Sequence, residues 1–163
     1  MLDKTIAYAT VTAERRIRAH VNNVFAAWAD KDAIMQWSAP GEAWEMSYDE
    51  FDFRTGHTDI CTFGVTGTVP YINTVRYEDI RTDERIVYTA TISHAGALIF
   101  VGTVIITLND KGHETLLQFT ESGFYFDGAD TPEGHEAGWE AMLDGLAAYV
   151  ELKAGATRQM ERV

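Results

Sequence analysis

In "TPEGHEAGWEAMLDGLAAYVEL", Thr131–Leu152, apolar residues recur at helical spacing. Thr131 suits an N-cap, and Pro132 suits the first helical position. Trp139, Met142, Leu143, Leu146, Tyr149 and Val150 then form one apolar stripe. Gly138, Ala141, Gly145 and Ala148 form a stripe of small residues beside it. Small residues let a helix lie close to a sheet, or leave room for something else. The spacing predicts a helix from about Pro132 to Lys153, with the polar tail "KAGATRQMERV" flexible from about residue 154.

Most of the chain before this segment has a different period. "IAYATVTAERRIRA", Ile6–Ala19, alternates Ala7, Ala9, Val11, Ala13 and Ile17 against polar neighbours, as a half-buried strand does. "HVNNVFAAWADKDAIMQW", His20–Trp37, switches to a helical face through Val21, Val24, Phe25 and Trp28. Asp30 or Asp32 can cap a second short helix ending at Trp37, and Pro40-Gly41 breaks it. "AWEMSYDEFDF" alternates Trp44, Met46 and Tyr48, then slips phase to Phe51 and Phe53, which predicts a β-bulge. About six strands follow the short helices, spaced as hairpins, with Pro70 at an edge or a strand start. The predicted fold class is α+β: a curved antiparallel sheet wrapped around one long C-terminal helix, with two short helices after the first strand. Such a sheet and helix enclose a concave space.

Length and charge narrow the functional classes. The 163 residues suggest a single domain, large enough to bury roughly 70% of the surface its unfolded chain would expose. A net charge of −12 argues against nucleic-acid binding. Arg15, Arg16 and Arg18 cluster in "ERRIR", which reads as a solvated strand end, with an anion or partner patch as the alternative. The lone Cys61 excludes an intrachain disulfide and suits a reducing cytoplasm. No secretory leader and no membrane-spanning run is expected.

Four motifs carry a family resemblance: "VFAAWADKDAIMQWSAPG", "FDFRTGHT", "YEDIRTDERIVYT" and "GWEAMLDGLAAYV". In this order they resemble the START-like helix-grip (SRPBCC) superfamily, within it the family related to the C-terminal domain of the heat-shock-protein-90 ATPase activator. The resemblance implies a helix-grip fold with an internal cavity, in a superfamily that includes lipid carriers, polyketide cyclases and hormone receptors. The chain departs from the family pattern at Ser38, where a second aromatic is usual, at His57, where a Gly is usual, and at Thr82, where a Pro is usual.

Three sets of residues could carry chemistry. His57, Asp59 and Cys61 alternate onto one face of a strand, with metal-competent side chains. Their Cα atoms, however, are spaced roughly 6.6–7 Å apart along the strand, which does not suit short Asp and Cys ligands. The expectation is no metal: His57 near a turn, Asp59 solvated and Cys61 packed as a small hydrophobe. Arg54, His94, Glu121, Tyr125 and His135 fall near strand ends around one cavity mouth, where acid–base groups would sit, but no pair has diagnostic spacing. Trp37, Trp44, Tyr71, Tyr88, Phe100, Phe119, Trp139 and Met142 are candidate cavity-lining residues, with Arg54 orienting a ligand carboxylate or carbonyl. Gly102, Gly138 and Gly145 beside these rings frame a void. No phosphate loop, dinucleotide fingerprint or nucleophile elbow is present.

The leading expectation is a binding protein for a small apolar or aromatic molecule, without catalytic residues or a cofactor. The alternatives are an enzyme of the cyclase or hydrolase kind, and a chaperone-interacting module with a filled interior. The Pro70 strand edge or an exposed aromatic patch offers a surface for homodimerisation.

Overall fold

The computed structural model describes residues 5–39 and 41–163. In chain order the elements are β1 (Ile6–Ile17), α1 (Val21–Ala29), α2 (Lys31–Trp37), β2 (Trp44–Glu50), β3 (Thr58–Val65), β4 (Tyr71–Arg81), β5 (Arg85–His94), β6 (Ala97–Asp110), β7 (Thr115–Phe126) and α3 (Pro132–Met160). The strands form one antiparallel sheet in the order β1-β7-β6-β5-β4-β3-β2. This is the α+β helix-grip architecture: a seven-stranded sheet with a long C-terminal helix on its inner face.

Local chemistry explains the element ends. Asp30, not Asp32, caps α2 by accepting from the Asp32 and Ala33 backbone N–H groups. Thr131 caps α3 by accepting from Gly134 N–H, and Pro132 occupies the first turn. The predicted phase slip is a register shift between Tyr48 and Glu50 against β3. Pro40 lies outside the described residues. Pro70 immediately precedes β4, which pairs with β3 on one side and β5 on the other. The Pro70 strand is therefore internal, and the sheet's edges are β1 and β2.

The core sits where α3 crosses the β1–β7–β6 half of the sheet. Ile17, Val104, Ile106, Leu117, Leu143 and Leu146 are fully buried there. α1 and α2 pack beside α3 and link it to β6 and β2. Gly145 allows the closest of these approaches: a Cβ at this position would overlap the Trp37 carbonyl oxygen. Arg15 joins β1 to α3 through Glu140 and Asp144, Arg16 pairs with Glu114, and Arg18 pairs with Glu151. The arginine cluster is thus engaged by carboxylates and is not a free anion patch. α3 also continues past Lys153 to Met160, where a flexible tail was expected. Propagation from a docked helix adds a hydrogen bond for each residue ordered, which carries the polar tail along.

Candidate functional site

Over β2–β5, where α3 does not press on the sheet, a concave space of about 650 Å³ remains. Side chains of six strands, β2 to β7, line it, with the end of α2 and one face of α3. Two aromatic sets build its walls. On the helical side Trp28 meets Trp37 edge-on at 4.7 Å and stacks on Trp139 at 6.5 Å. On the sheet side Trp44, Phe63 and Tyr71 stack in turn across β2, β3 and β4, at 6.3 and 5.3 Å, and His94 of β5 backs Tyr71 at 4.3 Å from outside the lining. Sheet pairing dictates this second row, since Phe63 faces Tyr71 and Tyr71 faces His94 in register.

Of the residues expected from sequence, Trp37, Trp44, Tyr71, Tyr88, Phe100, Trp139 and Met142 line the space. Two do not. Arg54 lies in the β2–β3 connection, exposed, with its Nε 2.8 Å from Asp52 Oδ2. The bulge and turn before β3 carry it away from the inner face, so it cannot orient a ligand. Phe119 has the correct strand parity but is covered by Trp139, whose ring centroid is 4.3 Å from its own. It belongs to the layer behind the wall.

The glycines also divide. Gly138 lines the space, and a Cβ there would meet nothing within 4 Å. Gly102 and its cross-strand partner Gly123 frame no void, because the Phe100 ring fills the space above both. Gly145 is taken up by the Trp37 backbone.

At one end of the space, sequence-distant acid–base groups meet. Glu121 is buried, with Oε1 2.6 Å from His135 Nδ1, while Oε2 accepts from Trp139 Nε1–H at 2.9 Å. The other imidazole nitrogen of His135, Nε2, lies 2.5 Å from Asp130 Oδ2. With a carboxylate on each ring nitrogen, both nitrogens donate and the ring is an imidazolium. Burial alone would lower its pKa, but the hydrogen bonds to Asp130 and Glu121 outweigh this and raise it to about 9. Phe100 packs against the ring at 4.4 Å and Tyr125 at 5.0 Å. Burial, then the nearby Glu121 charge, pushes the Tyr88 and Tyr125 hydroxyls up.

Asp130 was not anticipated. Its signal was its place just before the Thr131 cap, one helical turn from His135. His94 and Tyr125 were anticipated as mouth groups but do not line the space. His94 Nε2 contacts the Val69 carbonyl oxygen at 3.1 Å.

The "HTDIC" set is a second buried polar cluster. Asp59 is buried rather than solvated, because it accepts from the Asp52 backbone N–H at 2.7 Å and has His57 Nε2 3.4 Å away. Burial raises its pKa against the lowering effect of those partners and of the Tyr77 hydroxyl. Burial pushes the Cys61 thiol up to about 12, so the sulfur is an unreactive wall atom. Among the described residues no group of three His, Cys, Asp or Glu is arranged to hold a metal ion, and no helix is long and apolar enough to cross a membrane.

Comparison with known proteins places this geometry. The family model described as "Activator of Hsp90 ATPase homolog 1-like protein" matches residues 18–151. The crystal structure of the Mll3558 protein from Rhizobium loti is 31% identical over 89% of this chain and 99% of its own, with a TM-score of 0.79. Protein CV1439 from Chromobacterium violaceum is 27% identical over 87% of this chain and 97% of its own, with a TM-score of 0.75. An AHSA1-like protein from Aeromonas hydrophila shares the fold at 21% identity, over 90% of this chain and 94% of its own, with a TM-score of 0.67. No curated protein matches the chain.

Proposed function

The chain belongs to the activator of Hsp90 ATPase homolog 1-like family, and on that premise we propose that it binds a small, mostly apolar molecule between the sheet and α3, without catalysis. The observation that carries this reading is the space of about 650 Å³, walled by rings from both layers. That is the size and lining of a small-molecule site. Core rings normally interdigitate to near-crystalline density. Here Trp28, Trp37 and Trp139 instead stand across an opening from Trp44, Phe63 and Tyr71. A chaperone-contact module calls for a filled interior, so the open one favours ligand binding. The buried, unpaired Cys61 thiol suits a protein working in the cytoplasm.

The test is titration with a neutral apolar fluorophore, N-phenyl-naphthylamine, read by its emission and by tryptophan quenching. Saturable binding of one probe per chain is expected. Gly138→Leu, which places a side chain in the opening where a Cβ meets nothing, should weaken it at least tenfold, a loss of about 1.4 kcal/mol. Non-saturable binding, or binding indifferent to this substitution, overturns the reading.

One observation favours an enzyme as the second reading. The Asp130–His135–Glu121 line places titratable groups at the wall, where a proton could be moved to or from a bound substrate. Glu121 would be the group nearest the substrate, held by His135 and Trp139. A turnover that depends on Glu121 would shift weight to that reading.

A further inference from the structure

The ionisable groups that line the space are unusually one-sided. Among the described residues its carboxylates are Glu45, Glu121 and Asp130, its one basic side chain is His135, and no Lys or Arg lines it. Glu121 and Asp130 both bind the single imidazolium, so the cluster carries two negative charges against one positive. The surplus charge lies among aromatic faces. Trp139 donates to Glu121, Trp28 stacks on Trp139, and Phe100 packs on His135. Trp28 is nine-tenths buried in this wall, with its indole nitrogen closed off from the open space.

These features select by charge. A ligand carboxylate or phosphate would bring a third negative charge into a desolvated site where no described Lys or Arg receives it. A ligand ammonium would balance the cluster and face the negative surfaces of the surrounding rings. Resting on the binding reading above, we propose that the ligand is an organic amine: an aromatic or alicyclic body with its ammonium group at the Glu121 end. The overall charge of −12 steers such a cation inward and slows the approach of anions.

The test uses three dansyl probes that share the aromatic body, the sulfonyl group and the chain length. Dansylcadaverine ends in an ammonium, N-hexyl dansylamide in a methyl group, and dansyl-aminohexanoate in a carboxylate. Titrations run at physiological ionic strength, where long-range surface fields are screened, and Gly138→Leu identifies signal from outside the site. The cation is expected to bind tightest and the anion weakest, with at least about tenfold between them. In Glu121→Gln the cation's advantage over the neutral probe should disappear. Asp130→Asn, in the loop before α3, gives the same reading if Glu121→Gln folds poorly. Neutral or anionic probe binding as tightly as the cation in the wild type overturns this inference and leaves the binding reading standing. If none of the three binds saturably, the binding reading itself falls, and this inference with it.

Discussion

Alanine at position 121 should destabilise the fold by about 3–5 kcal/mol, the usual cost of removing one partner from a buried ion pair. Glu121 is 3% exposed, and its two oxygens hold His135 and the Trp139 indole N–H. Without it, an imidazolium and an indole donor lose their acceptor in a desolvated site, and α3 loses its polar link to β7. Urea denaturation read by tryptophan fluorescence measures the loss. Glu121→Gln should be milder, because the amide oxygen still accepts from Trp139. The same cluster sets a pH dependence. His135 has a folded-state pKa raised from 6.5 to about 9, so its contribution is complete below about 6.5 and disappears as pH rises through about 9. Wild-type stability should therefore fall between those pH values, and a Glu121→Ala chain should show a smaller fall. Equal slopes for the two proteins would show that the cluster does not couple protonation to folding.

Phe100→Ala should cost about 3–5 kcal/mol, as truncation of a fully buried phenylalanine does. Phe100 is 1% exposed and covers Gly102 and Gly123, which face each other across β6 and β7. A Cβ on either glycine would overlap the Phe100 ring, so ring and glycines form one packing unit. Removing the ring strips cover from two backbone positions, and it also removes the surface on which His135 rests. Calorimetry should show a lower melting temperature, together with a lower imidazole pKa by NMR titration as the cluster loosens. A melting temperature within a degree or two of wild type would contradict this, since about 1 kcal/mol already moves a domain of this size by some 2–4 °C.

Strand alternation, the helical stripe on α3 and the Thr131–Pro132 start made the architecture readable in the sequence, because those signals are local. The same signals named most of the rings that line the open space, since a side chain's face follows from strand parity. What failed depended on layering or on turns. Phe119 has the right parity, but no local pattern says that Trp139 will cover it. Arg54 follows a bulge, and a one-residue slip changes the face of everything beyond it. Asp59 reads as a solvated carboxylate until the fold supplies the Asp52 N–H. Glu121, His135 and Asp130 come from different elements, so their meeting follows only from docking α3 on β7. That docking joins Asp130, which was not anticipated from sequence, to Glu121 and His135, which were expected near the cavity mouth.

Native mass spectrometry of the protein, followed by denaturing extraction, tests the central claim most directly. After incubation with a small-molecule extract of the cells that make it, the protein should carry one discrete added mass, released on denaturation and absent from the Gly138→Leu variant. A chain that keeps its bare mass through that incubation would contradict a ligand-binding function.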